Sequence, residues 1–309
     1  MPLTNYLYRM TLTTLSALLV TVGALGQNAG RPDSMRFAVI GDAGTGGKRQ
    51  HQLAAVMEKH YDQFPFGFVL MLGDNLYGKE RPRDYERKFE EPYRDLLEKG
   101  VAFYAVLGNH DRPEQRFYPL FNMNGRRYYA IHPKPGVRIL ALDSTQMDAA
   151  QLQWLEEELS KGAAEWTIVA MHHPLYSSGK RHGPALELRK VLEPIFIRYG
   201  VDVVFAGHEH FYERHSPQSG IQYFISGAAG KLRRSDIERT SQTACGYDQD
   251  NSFIVLELNG EGLHFSTITR DGAVVDRGTI RRDNKPRSVA AQCTSLAADS
   301  GATNNGGTY

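Results

Sequence analysis

The chain has 309 residues, of which 41% are hydrophobic and 23% charged, so it is long enough to bury a sizeable core in one large domain. Its 36 basic and 35 acidic side chains give a net charge of +1, which provides no overall attraction to nucleic acid or to an anionic membrane. Neither of its two cysteines belongs to a C-x-x-C pair, so thiol redox chemistry and structural zinc have no support.

The first residues have the pattern of an export signal. Arg9 is followed by a mostly apolar run over residues 10–25, and Ala24-Leu25-Gly26 forms a small-residue cleavage site. We therefore predict a signal peptide over residues 1–26 and an exported protein, periplasmic or secreted, without a stable membrane anchor. The apolar run is short and rich in threonine for a membrane span, which makes an uncleaved anchor the minor alternative.

Five apolar, β-rich stretches each end at a side chain that can bind a metal ion. They read F-A-V-I-G-D, F-V-L-M-L-G-D, F-Y-A-V-L-G-N-H, W-T-I-V-A-M-H and V-D-V-V-F-A-G-H, and such runs suit strands that are buried on both faces. The side chains at their ends are Asp42, Asp74, Asn109, His172 and His208, with His210 two residues further on. Ligands bind at the carboxyl ends of the strands in α/β sheets, so we expect these side chains to share one site.

Helical patterns alternate with these strands, which is typical of βαβ layering. We predict helices over residues 48–60, 84–98, 148–161 and 184–199. Alternating polar and β-branched residues over 128–143 and 221–280 predict antiparallel hairpins, and hence a second sheet. After Asp283 the chain is rich in Ala, Ser, Thr, Asn and Gly. We therefore predict a catalytic domain over 34–282 and a disordered tail over 283–309.

The residue types at the strand ends suit a centre of two metal ions. A carboxylate such as that of Asp74 can place one oxygen on each of two metals about 3.5–4 Å apart. His208 and His210 project to the same side of an extended segment, so each can serve one metal, whereas Glu209 points away. Taken singly, each such residue is more commonly structural, as a helix cap or a hydrogen-bonded strand end.

Two further segments offer substrate-facing groups and alternatives. In G-N-H-D, Asn109 offers a neutral oxygen, the imidazole of His110 can face the substrate, and Asp111 can orient that imidazole. His172 and His173 are expected to face opposite sides, and spacing alone does not choose between them.

The motifs G-D-A-G, G-D-N-L-Y, G-N-H-D, M-H-H-P and G-H-E-H, in this order over roughly residues 35–282, resemble those of the purple acid phosphatases of the calcineurin-like metallophosphoesterase superfamily. Most of that superfamily has D-x-H in the first motif, whereas Gly44 stands here in place of the histidine. In purple acid phosphatases a tyrosine three residues after the second-motif aspartate replaces it, and Tyr77 stands at that position. The length resembles the short, single-domain form.

The resemblance implies an α/β fold in which a two-sheet β-sandwich is flanked by helices, in four layers. It implies a ferric ion and a divalent ion, Fe2+, Zn2+ or Mn2+, with Asp74 as the bridge between them. The ferric ligands would be Asp42, Tyr77 and His210. The divalent ligands would be Asn109, His172 and His208. His110 and His182 would contact the substrate.

We therefore expect an exported acid phosphatase that hydrolyses phosphomonoesters, on small molecules or proteins, by attack of a metal-bound hydroxide. The nearest alternative is a phosphodiesterase or nucleotidase of the same superfamily with two divalent ions. A non-catalytic phosphate-binding protein is a second alternative, and it would be expected to have lost a ligand. Nucleic acid is not an expected partner, and the oligomeric state stays open.

Two other features leave alternatives open. A basic cluster comprises Lys231, Arg233, Arg234 and Arg239. These side chains could line the entrance of the phosphate site, but we favour the alternative that they are exposed charges on a loop. Export permits a disulfide between Cys245 and Cys293, and the spacing neither requires nor excludes it.

Overall fold

The computed structural model describes residues 34–162, 164–281 and 288–294, and the predicted signal peptide lies outside them. The strands in this part of the chain are β1 (Met35–Ile40), β2 (Phe68–Met71), β3 (Ala102–Ala105), β4 (Tyr129–Ile131), β5 (Val137–Ala141), β6 (Trp166–Met171), β7 (Val203–Ala206), β8 (Tyr212–His215), β9 (Gln222–Ser226), β10 (Thr243–Tyr247), β11 (Ser252–Asn259), β12 (Gly262–Thr269), β13 (Val274–Arg281) and β14 (Val289–Cys293). The helices are α1 (Lys48–Gln63), α2 (Pro82–Tyr85), α3 (Arg94–Glu98), α4 (Ala149–Ser160) and α5 (Leu186–Tyr199), with 3-10 turns at Pro113–Phe117 and Pro119–Phe121. None of these described helices has both the length and the apolar character that a bilayer crossing needs.

The strands form two mixed sheets of seven strands each. The first sheet has the order β14-β13-β12-β11-β1-β2-β3, with β1, β2 and β3 parallel to one another. The second sheet has the order β10-β8-β9-β7-β6-β5-β4, with β5, β6, β7 and β9 parallel. The five strands that precede the candidate ligands are therefore divided between the sheets, with β1, β2 and β3 in one and β6 and β7 in the other.

The main core lies between the two sheets. Phe37 of β1 meets Phe205 of β7 edge to face, with ring centroids 6.4 Å apart. Phe224 of β9 meets Phe265 of β12 in the same way at 5.1 Å. Aromatic side chains bury a large apolar area, so such pairs bind one sheet firmly to the other.

Helices cover the outer faces, which gives four layers and confirms the predicted fold class. Leu53 and Met57 of α1 are buried in the cluster that includes the first sheet. Leu155 of α4 and Phe196 of α5 are buried in a second cluster with Val169 of β6. Successive residues of a strand face opposite sides, which is why β6 can contribute to both the inner and the outer cluster.

Two predicted regions differ from the structure. The helix predicted over 84–98 is broken into α2, a π-helical turn at Glu86–Glu90, and α3. The wider turn directs the neighbouring side chains Lys88 and Phe89 inward together, and both are buried. In the region 221–280, the hairpins β11–β12 and β12–β13 are confirmed, but β9 pairs in parallel with β7.

The prediction of a disordered tail over 283–309 is wrong for residues 289–293, and the rest of that segment lies almost entirely outside the described residues. Residues 289–293 form β14, which pairs antiparallel with β13. Cys293 of β14 forms a disulfide with Cys245 of β10. Because β14 and β10 are edge strands of different sheets, this bond fastens the two sheets together at one side of the sandwich.

We predict that Cys293→Ser lowers the free energy of unfolding by about 4 kcal/mol, since the disulfide closes a loop with a sequence separation of 48 in the unfolded chain. Urea denaturation of the wild type and the variant measures this loss. The control is Cys245→Ser/Cys293→Ser, which should be no less stable than the single variant. Equal unfolding midpoints for the wild type with and without reductant would contradict the prediction.

Candidate metal centre

Three candidate ligands lie at sharp turns that directly follow strands. The backbone φ angles of Asp42, Asp74 and His208 are +55°, +52° and +70°. Residues with a Cβ atom rarely adopt this left-handed conformation, which costs on the order of 1–2 kcal/mol per residue. Such strain persists where the surrounding contacts enforce it and is concentrated at functional sites.

Two glycines allow these turns to lie against one another. A Cβ atom at Gly108 would lie 2.2 Å from the backbone nitrogen of Asp74 and 2.3 Å from its Oδ1. A Cβ atom at Gly44 would lie 1.9 Å from the carbonyl oxygen of Asn75. The second contact gives a physical reason for the missing histidine of D-x-H, because the loop that carries Tyr77 occupies the space a side chain at position 44 would need.

The first ligand group is the candidate set Asp42, Tyr77 and His210. The Tyr77 hydroxyl lies 3.0 Å from Asp42 Oδ1 and 3.2 Å from His210 Nε2. The same His210 nitrogen lies 3.4 Å from Asp42 Oδ1. The backbone N–H of Tyr77 donates to the Gly44 carbonyl at 2.9 Å, which fixes the phenol next to the carboxylate.

The second ligand group is the candidate set Asn109, His172 and His208. Asn109 Oδ1 lies 2.9 Å from His172 Nε2 and 3.0 Å from His208 Nδ1. The two histidine nitrogens are 3.2 Å apart. Asp74 Oδ1 lies 3.5 Å from His172 Nε2, and the Asp74 carboxylate is also within 4.8 Å of ligand atoms of Asp42 and His210. Asp74 therefore lies between the two groups.

The hydrogen bonds of His172 test whether this site suits a cation. Its Nδ1 lies 2.8 Å from the carbonyl oxygen of Leu72, so Nδ1 must carry the proton. The neutral ring then presents a lone pair at Nε2, which faces Asn109 Oδ1 and, at 3.2 Å, the ring nitrogen of His208. Lone pairs crowded in this way are stabilised by a cation between them, and a second hydrogen bond from the far nitrogen is typical of metal-binding histidines.

Burial shifts the acidic ligands toward their neutral forms. Asp42 is fully buried, and desolvation together with the charge of Asp74 raises the pKa of Asp42 well above its ordinary value. Desolvation and the charges of both aspartates also raise the pKa of Tyr77. A bound cation would reverse both effects, because it compensates the cost of burying the anions.

Burial shifts the histidines in the direction that metal binding requires. Desolvation, with the charge of His173 next, lowers the pKa of His172 well below its ordinary value. Desolvation lowers the pKa of His208 to about 2 and that of His210 to about 4. A metal binds the neutral imidazole, so these rings remain available as ligands in mild acid.

The two predicted substrate contacts lie beside the ligand groups. The ring of His110 is exposed and lies 5.0 Å from the ring of Tyr77, and its backbone N–H donates to Asp74 Oδ1 at 2.9 Å. The ring of His182 lies 4.4 Å from that of His208. Asn109 is also exposed, so the ligand set opens to solvent on this side.

Asp111 does not orient the imidazole of His110, and that expectation is wrong. Its carboxylate instead accepts hydrogen bonds from the backbone N–H groups of Asn75, Leu76 and Gly108 at 2.9–3.0 Å. Asp111 thus ties the loop after β2 to the loop after β3. Loss of solvation, together with the charge of Asp74, raises the pKa of Asp111 to about 7.

The prediction that the side chains of His172 and His173 face opposite sides of the strand is also wrong. Their ring centroids are 5.0 Å apart, and ligand atoms of both rings lie within 4.8 Å of those of His208. The strict alternation of a strand ends at Met171, the last residue of β6, so it does not extend to the pair that follows. Nδ1 of His173 lies 3.0 Å from the hydroxyl of Ser144.

Sequence reasoning missed the role of Glu209, which points away from the metal ligands as expected but is fully buried. Its Oε1 accepts hydrogen bonds from Gly183 N–H at 2.8 Å and from the Ser177 hydroxyl at 3.1 Å. These bonds hold the loop that carries His182. The carboxylate of Glu209 between two candidate histidine ligands is a sequence signal for such a role. A carboxylate in a buried segment requires hydrogen-bond partners, and these are often backbone N–H groups of a neighbouring loop.

The structure divides the basic cluster, and the preference for exposed loop charge is wrong for two of its members. Arg234 and Arg239 are exposed. Lys231 lies with its Nζ 4.4 Å from the centre of the Tyr77 ring. Arg233 lies with its guanidinium 3.4 Å from Nδ1 of His210.

The family model of the calcineurin-like phosphoesterases matches residues 35–212, which contain the first four motifs and the G-H-E-H histidines. Purple acid phosphatase 4 of Arabidopsis thaliana is 30% identical over 295 residues, covering 83% of this chain and 82% of that protein. The chain therefore belongs to the calcineurin-like phosphoesterase family. Purple acid phosphatases are among its relatives, and together with the family match they make it a metal-dependent phosphoesterase.

Two solved structures share the fold at low sequence identity. The purple acid phosphatase PPD1 of yellow lupin has a TM-score of 0.64 at 16% identity, covering 79% of this chain and 53% of that one. GAP50 of Plasmodium, described as the anchor in the inner membrane complex, has a TM-score of 0.69 at 20% identity, covering 82% and 90%. Because one neighbour is named a phosphatase and the other an anchor, the fold by itself does not determine activity.

We predict that Gly108→Ala weakens metal binding at least tenfold while the protein still folds, because its Cβ would displace the Asp74 carboxylate. Metal content after dialysis and the thermal unfolding midpoint measure the two effects separately. Gly67→Ala is the matched control, since its Cβ would meet no atom within 4 Å. Normal metal retention in Gly108→Ala would contradict the proposed position of Asp74.

Proposed function

We propose that this protein is an acid phosphatase that hydrolyses phosphate monoesters at a centre of two metal ions. The observation that carries the proposal is the arrangement of seven side chains in two groups with Asp74 between them. The first group is Asp42, Tyr77 and His210. The second group is Asn109, His172 and His208. No position of the expected ligand set is substituted, which argues against the non-catalytic alternative despite the likeness to an anchor protein.

The two groups differ in chemistry, and this supports two different metals. Asp42 and Tyr77 offer two oxygen anions to the first site, and a phenolate is a hard, strongly donating ligand that favours a ferric ion. The second group offers one amide oxygen and two imidazoles besides the shared carboxylate, which suits a divalent ion such as Zn2+, Fe2+ or Mn2+.

The chain's own residues account for the other parts of the reaction. When bound, the two cations supply the positive charge that neutralises the phosphate and lowers the pKa of the attacking water. Asp74 fixes the two sites relative to each other. His110 lies beside the first ligand group and His182 beside the second, so each can contact a substrate bound at its own side of the centre. Either imidazole can protonate the leaving oxygen.

The location and partners are part of the same proposal. The disulfide between Cys245 and Cys293 suits an oxidising compartment, which supports export to the periplasm or the medium. The near-neutral net charge supports a small-molecule or protein phosphomonoester as substrate rather than nucleic acid. No stable membrane anchor is proposed.

Assays with a monoester and a diester, with and without chelator, test the reaction. We expect preferential monoester hydrolysis that chelator abolishes, together with iron and a visible charge-transfer band that is lost in Tyr77→Phe. Preferential diester hydrolysis by a colourless protein with two divalent ions would favour the phosphodiesterase alternative. A lack of hydrolysis by the fully metallated protein would favour the binding protein.

We predict that Glu209→Ala lowers kcat about tenfold or more with unchanged metal content, because the loop of His182 loses the hydrogen bonds at Gly183 and Ser177. Glu209→Gln should lower kcat less, because its amide oxygen can still accept the hydrogen bond from the Gly183 N–H. Steady-state kinetics and metal analysis measure these effects. The control is Glu187→Gln, because Glu187 is exposed. A wild-type kcat in Glu209→Ala would show that the loop of His182 does not depend on the hydrogen bonds of Glu209.

A further inference from the structure

Lys231 lies directly over the phenol of the first ligand group. Its Nζ is 4.4 Å from the centre of the Tyr77 ring, which is a cation–π distance. The side chain is half-buried, and among the described residues it forms no ion pair with a carboxylate. Its positive charge is therefore directed at the tyrosine ring rather than compensated by an acidic partner.

The backbone holds Lys231 in this place from both sides. Its N–H donates to the carbonyl oxygen of Asp42 at 3.0 Å. Its carbonyl oxygen accepts from Asn251 Nδ2 at 3.1 Å, and Asn251 is itself fully buried and bonded to the Ala228 carbonyl at 2.8 Å. The lysine is thus anchored to the first metal-binding loop by its own main chain.

Tyr77 is fixed as firmly from the other side. Its carbonyl oxygen accepts a hydrogen bond from the buried ammonium of Lys88 at 2.6 Å, and the same ammonium donates to the Lys79 carbonyl at 2.6 Å. The π-helical turn at Glu86–Glu90 directs Lys88 inward. The distance between Lys231 and the Tyr77 ring is therefore set by two anchored segments.

Arg233 is the second cation beside the first ligand group, and unlike Lys231 it is paired with carboxylates. Its guanidinium lies 3.2 Å from Asp236 and 3.6 Å from Glu209. These two carboxylates compensate much of its charge. Lys231 has no such carboxylate partner among the described residues, so its charge 4.4 Å from the Tyr77 ring centre is not offset in this way.

We propose that Lys231 is a positioning residue that acts through Tyr77: its ammonium stabilises the negative charge of the metal-bound phenolate and so sets the energy of charge transfer from the ring to the ferric ion. This inference rests on the proposed function, because it requires that Tyr77 bind iron. With a ferric ion bound to Tyr77, charge transfer would take an electron out of the ring that lies beside the lysine. The lysine opposes that movement, so it shifts the absorption band to shorter wavelength.

The visible spectrum of the iron-loaded protein tests the inference. Lys231→Gln should move the band to longer wavelength by on the order of 10 nm, because a unit charge about 4 Å from the donor is removed. Lys231→Arg, which keeps the charge, should stay close to the wild type. Arg234→Gln is the control, since this exposed residue belongs to the same basic cluster. Iron content is measured in every sample, and spectra are compared per bound iron.

The outcomes distinguish a failure of the role of Lys231 from a failure of the proposed iron site. An unmoved band, or one moved to shorter wavelength, in iron-loaded Lys231→Gln overturns the role of Lys231 and leaves the proposed function intact. Should Lys231→Gln fail to fold, Lys231→Met against Lys231→Arg gives the same comparison. A wild type that binds iron without a band, or a band that survives in Tyr77→Phe, overturns the proposed binding of iron by Tyr77 instead, and the monoester and diester assays then test the reaction separately.

Discussion

The central constraint is the crowding of lone pairs at the place where strands of both sheets end. His172 must use one nitrogen as a donor to Leu72, so its other nitrogen has no proton to offer the amide oxygen of Asn109 at 2.9 Å. Asp42 and Asp74 are buried alongside with their charges close together. Such an arrangement is costly in an apolar interior and becomes favourable around cations. The hydrogen bonds around the site keep these side chains close together.

The scaffold enforces this crowding by several independent means. Strands from both sheets end at the site, and three ligands accept left-handed backbone conformations there. Asp111 ties two ligand loops together, and Glu209 supports the loop that carries His182. Lys88 holds the Tyr77 segment through its carbonyl. Each of these side chains is a buried or half-buried polar group whose hydrogen bonds fix a loop, so the geometry of the metal ligands does not depend on loop stiffness alone.

Much of the site is readable in the sequence because its ligands follow apolar strands directly. A buried strand that stops at an aspartate, asparagine or histidine is visible in one dimension, and the tyrosine that accompanies Gly44 is visible by its spacing. The structure adds the reason for that pairing, since the Asn75 carbonyl lies where a side chain at position 44 would be. The helical and hairpin patterns also follow from periodicity, except where a π-helical turn interrupts a helix or where β9 pairs in parallel.

The features that the sequence did not reveal depend on contacts between distant segments. Lys231 is one of four cations in a short stretch, and its backbone bonds to Asp42 and Asn251 hold it at the site, whereas Arg234 is exposed. The polar segment around Cys293 has the composition of a tail, yet the disulfide and the pairing with β13 hold it as a strand. Asp111 adjoins His110 in sequence, but three backbone N–H groups compete successfully for its carboxylate.

Anomalous diffraction from crystals of the metal-loaded protein, recorded at the iron edge and at the edge of the second metal, measures whether these side chains hold two metal ions. We expect two peaks about 3.5–4 Å apart, one between Asp42, Tyr77 and His210 and the other between Asn109, His172 and His208, with Asp74 reaching both. A single peak, or metal bound away from these side chains, would contradict this expectation.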